Sequence, residues 1–407
     1  MHVLSLCAVE VTNTSSVHHL GRMALHSNGT TGTILSSPSL PLELVEEEIL
    51  SRLPVKKLLQ LRCICKSWKS LISDDPKFTK KHLRMSNILK HKHLIMNVLG
   101  DRILWDSPLS SVFSNVYNHT VTLTQLNIPI SISNHILKIS SCDGILCLTL
   151  GVVGGGRRYV VLCNPSLRKY TTLPPLENHQ KREVLSCLFS FGYDHVNDVY
   201  KVIAISCFKD KHKVKEVDVY TLGTNNWRSI QDFPYSSPSP SPSMYHSGVF
   251  VGGTVNWLAY EVSNSSHRRV IVSLDLMTES YQKLLQPDLE KDPWILGMCQ
   301  NCLCIFQCRD MFLDVWIMKE YGNKESWTKL YNIPSAEGQN SYPRTVYISD
   351  NNQVLFCYHD LRNSKLKLVV YNSKNGNVMI PKIQHNDRLF MNPRVYVESL
   401  ISLPCSY

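Results

Sequence analysis

LPLELVEEEILSRLPVKKLLQLRCICKSWKSLISDDPKF, residues 40–78, is a helix-period apolar pattern punctuated by Pro54 and Pro76. Leu42, Val45, Ile49, Leu50 and Leu53 recur at helical spacing and form one stripe. Glu46, Glu47 and Glu48 take the other side and the early turns, where acids complement the helix dipole. Pro54 stops this helix and opens the next, because a first-turn amide has no partner to lose. Leu58, Leu61, Cys65, Trp68 and Ile72 then continue a stripe at spacings of three and four. Asp75-Pro76 restarts a third short helix, with Asp75 as its N-cap. A bundle of about 50 residues can enclose little by itself. This one carries an excess of large apolar residues, so it is expected to complete its core on another protein.

Outward from this stretch the composition changes on both sides. Residues 1–39 are rich in Ser, Thr, His and Gly without periodicity and read as a disordered leader. Helical pattern continues to about residue 86, and a boundary falls near 88–93. From 93 to 405 short β-type runs are divided by Gly, Asn, Asp and Pro. The net charge of +10 is confined to the helical part. Residues 51–93 hold twelve Lys or Arg against Asp74 and Asp75, which accounts for the whole excess. A basic patch on one small module points to an acidic partner for that module, not to a protein that follows a nucleic-acid backbone along its length.

The long β-type region carries a weak internal repeat. RKYTTL (168–173), NNWRSI (225–230), ESYQKL (279–284) and ESWTKL (325–330) share a form, and Tyr170, Trp227, Tyr281 and Trp327 stand 57, 54 and 46 residues apart. Strand-like runs lie between them, at 159–162, 201–205, 217–220, 271–275 and 313–318. Repeats of about 40–50 residues made of several short strands mark a β-propeller. A large sandwich fits the strand content but predicts no repeat. The length available suits about six or seven blades.

Composition excludes other classes. No run of about 18 apolar residues is present, so no membrane helix is expected. Met1–Ala8 has no basic flank and Glu10 interrupts it, so no secretory signal is expected either. The fourteen cysteines include several inside apolar runs, such as Cys142, Cys147 and Cys187, and read as buried hydrophobes in a reducing compartment.

The opening stretch resembles an F-box along its whole length. Leu40-Pro41, Glu48-Ile49-Leu50, Leu53-Pro54-Val55 and the Cys63, Cys65, Trp68 phrase fall at that family's spacing. The remainder resembles the F-box associated, kelch-like domain of the large plant F-box family. The phrases that carry it are CDGILCL (142–148), NPSLRKYTTLP (164–174), FGYD (191–194), DVYKVI (198–203), VYTLGTNNWRSI (219–230), GVFVGGTVNWLA (248–259), VSLDL (272–276) and DVWIMKEYGNKESWTKL (314–330). Cys163 departs from the bulkier residue usual before Asn-Pro. The resemblance implies an all-α F-box at 40–86 followed by an all-β kelch-like propeller at 93–405. It implies a non-catalytic substrate receptor of an SCF-type cullin-RING ubiquitin ligase. The F-box would insert into a Skp-type adaptor, linked to cullin and RING subunits, and the β-domain would hold an unidentified target protein. Adaptor contacts carried over by resemblance are Leu40, Pro41, Leu44, Ile49, Leu50, Leu53, Pro54, Leu58, Leu61, Cys65 and Trp68, with Leu53, Leu61 and Trp68 also open to an internal packing role. No cofactor, nucleic acid or membrane is expected, and the location is cytoplasmic, nuclear or both. Two alternatives stand beside this: an F-box scaffold outside any cullin complex, and a propeller enzyme.

Rival motifs read as structure. Cys299, Cys302, Cys304 and Cys308 have a superficial zinc look, but without two knuckles separated by a longer loop. Gln300-Asn301 reads as a hairpin turn, and strand alternation is expected to divide the thiols between two faces, so they read as core cysteines. Gly154-Gly155-Gly156 lacks the Lys-Ser/Thr of a phosphate loop and precedes a strand, so it reads as a hairpin tip. No H-E-x-x-H or G-x-S-x-G constellation occurs. Target recognition is expected in connecting loops, with candidates at 151–158, 234–245, 262–269 and 337–342.

Overall fold

The computed structural model describes residues 44–98, 102–114, 120–128, 134–152, 158–176, 184–208, 215–235, 248–263, 266–289, 294–309, 312–334, 344–360, 365–384 and 390–404. The leader expected at 1–39 lies outside them. The chain divides into two compact units. One is helical, runs to His91 and takes in Glu398–Leu400. The other comprises Lys92–Val397 and the residues from Ile401 onward. The sequence reading had placed 398–400 in the β-domain.

In the helical unit the first expected helix is broken up. Val45–Ile49 forms a wide π-helical turn and Leu50–Arg52 a tight 3-10 turn. Pro54 explains the ending, because its ring disfavours helical backbone at Leu53, which is extended with ψ 146°. Ser51 Oγ also donates to the Glu47 carbonyl, a local side-chain bond that competes with regular helix. Three helices follow: α1 (Val55–Leu61), α2 (Lys66–Asp74) and α3 (Pro76–Ile88). Pro54 precedes α1, and Asp75 caps α3 by accepting from the amides of Lys77 (2.7 Å) and Phe78 (3.0 Å). Leu50, Val55, Leu58, Trp68, Ile72 and Phe78 fill the interior.

The second unit is a six-bladed propeller, one of the two blade counts expected. Each blade is a four-stranded antiparallel sheet. The innermost strands are Phe390–Val397, Asn134–Cys142, Val184–Asp194, Val249–Val251, Trp294–Cys299 and Arg344–Ile348, for blades 1 to 6 in that order. They neighbour one another in a closed ring. Blade 1 takes its inner strand from the far end of the chain: Lys92–Val98 pairs with Phe390–Val397, from Lys92 opposite Val397 to Val98 opposite Phe390. This closes the ring from both termini and leaves no open side.

Among the described residues of this unit, six apolar clusters form the core, one at each boundary between neighbouring blades. Both faces of a blade are therefore buried, and middle strands are buried along most of their length, polar residues such as Ser206, Asn256 and Gln307 included. In Val199–Phe208 every residue from Lys201 onward is buried. Period two survives as a choice of boundary: Leu94 and Met96 face blade 6, while Ile95 between them faces blade 2.

Three of the four repeated aromatics tie neighbouring blades together. Each stands near the start of its blade's outermost strand, and three donate to a backbone carbonyl of the preceding blade. Trp227 Nε1 bonds Pro174 O (2.7 Å), Tyr281 Oη bonds Gln231 O (3.3 Å) and Trp327 Nε1 bonds Leu285 O (3.0 Å). In every case the acceptor lies four residues beyond the aromatic of the preceding blade. The phrase seen in the sequence is thus one latch used repeatedly.

The hairpin at 300–301 is as expected, with Gln300 and Asn301 both at positive φ (48° and 59°), as a two-residue turn requires. The expected division of the thiols is not found. Cys302, Cys304 and Cys308 are separated by even numbers and share one face, and Cys299, paired opposite Cys302, joins them. All four pack into the cluster between blades 5 and 6. Contact with Cys299, added to burial, holds the Cys304 thiol well above its ordinary value. Among the described residues no group of three or more His, Cys, Asp or Glu is placed to hold a metal.

Candidate functional site

The helical unit presents the contact residues named from the sequence in three ways. Leu44 is 47% exposed. Ile49, Leu53, Pro54, Leu61 and Cys65 are half-buried. Leu50, Leu58 and Trp68 are at most 3% exposed in this chain alone, so in this conformation they support the surface from beneath. Leu40 and Pro41 lie outside the described residues. Two exposed apolar residues were missed: Ile88 at 58% and Leu89 at 40%, at the end of α3. Their signal was the extension of the apolar pattern two and three residues past the point where the helix was read to stop.

Charge surrounds this surface. Lys56, Lys57, Lys66, Lys69, Lys77, Lys80 and Arg84 are exposed. Arg52 pairs with Glu48 (2.5 Å) and Lys81 with Glu47 (3.2 Å), both at the surface, where ion pairs contribute little to stability. Underneath, His82 is fully buried, with Nε2 2.9 Å from the Leu53 carbonyl. That oxygen can only accept, so Nε2 carries the proton. Burial holds the imidazole below its ordinary value, against the opposing pull of the Leu53 carbonyl and Glu398. Glu398 belongs to this unit by a direct bond: its Oε2 accepts from the Val55 amide at the start of α1 (2.9 Å), and its own amide donates to the His91 carbonyl.

In the propeller, the motif residues of CDG, FGYD and DVYK converge. Tyr200 Oη donates to the Asp143 carboxylate (3.2 Å), and the Tyr193 and Tyr200 rings lie 4.7 Å apart. Burial pushes Asp143, Cys142 and Tyr200 all upward, so the thiol and the phenol stay protonated near neutrality. Asp194 is pushed up by burial, but bonds from Asn197 and Lys201 outweigh this and leave it at about 2. Lys201 also bonds the Leu276 carbonyl and Glu279 in blade 4, and Glu279 pairs with Arg228. These groups tie blades 2, 3 and 4 together.

The expected recognition loops are mostly out of view. Residues 153–157, 236–245 and 337–342 lie outside the described set. The loop expected at 262–269 is instead hairpin backbone: Tyr260, Glu261 and Val262 pair with Arg269, Arg268 and His267, up to Ser263 opposite Ser266. Among the described residues no helix is long and apolar enough to cross a membrane.

A small helical docking unit joined to a ring-closed six-bladed propeller is the architecture of an F-box adaptor protein. Comparison with known families agrees. Residues 38–80 match the F-box domain and residues 102–403 the F-box associated beta propeller domain. The chain belongs to the family of F-box proteins that carry this propeller, a family of typically non-catalytic adaptors whose F-box binds Skp-type adaptors. It is 30% identical to the F-box/kelch-repeat protein At3g23880 of Arabidopsis thaliana, over 92% of this chain and 98% of that one. It is 27% identical to the Arabidopsis F-box protein CPR1, over 81% of each. Among solved structures, TolB from Acinetobacter baumannii is similar at 12% identity with a TM-score of 0.37, over 70% of this chain and 67% of that one.

Proposed function

We propose that this chain is the substrate-recognition subunit of an SCF-type cullin-RING ubiquitin ligase. The helical unit docks on a Skp-type adaptor, which brings cullin and RING subunits, and the propeller holds a target protein for ubiquitination. The observation that carries this reading is the surface of the helical unit: Leu44, Leu53, Pro54, Leu61 and Cys65 leave apolar area uncovered, within a rim of exposed lysines suited to an acidic partner. Leu40 and Pro41 extend this contact set, and Leu50, Leu58 and Trp68 hold it in shape. Bond making and breaking takes place on other subunits, and the chain itself needs no cofactor. Its location is the cytoplasm, the nucleus or both, and neither nucleic acid nor membrane is a partner.

The test is adaptor pull-down with Leu44→Asp combined with Leu61→Asp, two changes at exposed or half-exposed positions. Capture should fall at least about tenfold while the propeller keeps its thermal transition. Undiminished capture would refute docking through this surface. Co-purification of cullin with the wild-type chain separates a ligase subunit from a scaffold: consistent absence of cullin with adaptor still bound favours the scaffold.

A further inference from the structure

An aromatic latch ties three successive outer blade boundaries, and among the described residues the corresponding aromatic between blades 1 and 2 makes none. At three successive boundaries the aromatics Trp227, Tyr281 and Trp327 bond a carbonyl of the preceding blade. Tyr170 is the corresponding aromatic of blade 2. It is 42% exposed, and among the described residues its hydroxyl has no hydrogen-bond partner. A second device repeats two residues earlier. Arg168, Asn225 and Glu279 hold that position, each with φ near +55° (55°, 57° and 54°). In blade 4 this residue, Glu279, reaches back to blade 3 and pairs with Lys201 and Arg228. In blade 2 it is Arg168, and among the described residues no carboxylate pairs with it. The facing residues of blade 1 are the neutral Gln125 and Asn127.

A groove of about 200 Å³ lies at this place, with Leu126, Ile128, Cys163 and Pro165 as its apolar lining and Arg168 and Tyr170 as its polar wall. Among the described residues that line it there is one cation and no acid. The next boundary also has a groove, of about 210 Å³, but there the aromatic and the hydroxyl are engaged within the chain, Trp227 with Pro174 and Ser229 with Asp218, and the groove carries an acid, Asp218, and no cation among the described residues.

We infer that the groove between blades 1 and 2 is a docking site for an extended segment of a partner protein that carries an acidic side chain. The occupant's chemistry follows from the other boundaries. There the aromatic is satisfied by the carbonyl of extended backbone, as in the Thr172-Leu173-Pro174 run, and where the position two residues earlier is charged, at Glu279, it is met by the opposite charge of Lys201 and Arg228. A partner strand lying over Leu126 and Ile128 supplies both, its carbonyl to Tyr170 and its carboxylate to Arg168. Arg168 presents a planar donor fork that suits a carboxylate. The inference rests on the reading of the propeller as the part that holds the target, and it names one of that target's features.

The experiment is selection of a phage-displayed library of random 12-residue peptides on the full chain co-purified with its Skp-type adaptor, repeated on Arg168→Glu and Tyr170→Phe. The wild type should enrich peptides sharing an Asp or Glu. Arg168→Glu should weaken binding of those peptides by about tenfold or more and turn the preference to Lys or Arg, while Tyr170→Phe should weaken it about three- to tenfold. Asn226→Arg, placed in the neighbouring groove, should leave the selection unchanged. The proposal is overturned if the wild type enriches no common peptide, or if Arg168→Glu keeps the same acidic preference. Adaptor capture and the thermal transition are followed on the same samples. If both hold while selection fails, the groove assignment alone is wrong; if adaptor capture fails in the wild type, the ligase reading is wrong.

Discussion

Glu398 acts on the helical unit from 343 residues away in sequence. Helix α1 has seven residues, is preceded by Pro54, and has no side-chain cap of its own. So short a helix is marginal without help at its ends. The half-buried Glu398 carboxylate supplies that help by accepting from Val55, the first residue of α1, where negative charge also suits the helix dipole. Glu398→Ala leaves this amide without its acceptor and should cost about 1–2 kcal/mol, as loss of an N-cap or of a charged hydrogen bond does. Glu398→Gln keeps an oxygen acceptor and loses only the charge, so it should cost about 0.5 kcal/mol. Hydrogen exchange at the Val55 amide reads the effect directly. For local opening, 1–2 kcal/mol corresponds to roughly 5- to 30-fold faster exchange in the Ala variant, with the Gln variant in between. If Val55 exchanges in Glu398→Ala at the wild-type rate, the cap contributes nothing and the reasoning fails.

Three further outcomes follow from the structure. Trp227→Phe keeps the ring contacts to Tyr220 and Phe189 but removes the bond to Pro174, and should lower the propeller's stability by about 1 kcal/mol in denaturant titration; Tyr281→Phe, whose bond is longer at 3.3 Å, should cost less. Leu50→Ala, at 1% exposure, should destabilise the helical unit by about 2–4 kcal/mol in thermal melts, far more than Leu44→Ala at 47% exposure. The helical unit should also weaken in mild acid. His82 has a depressed pKa when folded, so below its unfolded value of 6.5 the unfolded chain takes up a proton that the native state refuses, and stability falls from about pH 6.5 downward until the folded group titrates too. Melting at pH 5.5 and 7.5, in wild type and His82→Gln, checks this: a pH dependence that survives the substitution belongs to another group.

Much of the fold was legible because each local signal had one physical meaning. Asp75-Pro76 pairs a capping side chain with a first-turn proline ahead of an apolar helical stripe, and the change from period 3.6 to short β-runs near residue 90 marked a change of unit. The first helix was misread because the Leu42 to Leu53 stripe gives apolar spacing but not backbone type. Pro54 disfavours helical backbone at Leu53, and Ser51 bonds a carbonyl within the turn, so π and 3-10 turns serve the same burial. The thiols of blade 5 were misassigned through counting alone, since residues two and six apart on a strand share a face.

The adaptor surface was legible as a set but not residue by residue. Leu44 and Leu50 carry the same side chain six positions apart, and only the fold makes one exposed and the other nearly inaccessible. Glu398 lay beyond any local reading, because nothing in SLPCSY or VESL around it signals a helix start 343 residues earlier. The latch sits between these extremes. Tyr170, Trp227, Tyr281 and Trp327 were recognisable as a repeat because each must occupy the same place in its blade, yet what they do depends on the carbonyl four residues past the previous one, and a pattern within one phrase cannot show a bond between two. For the same reason the departure at Tyr170 became visible only against the bonds made by the other three. A repeat read as a repeat predicts four equal latches; among the described residues the structure makes three, and at the boundary between blades 1 and 2 the exposed Tyr170 and Arg168 keep donors open to solvent and to the partner segment inferred above.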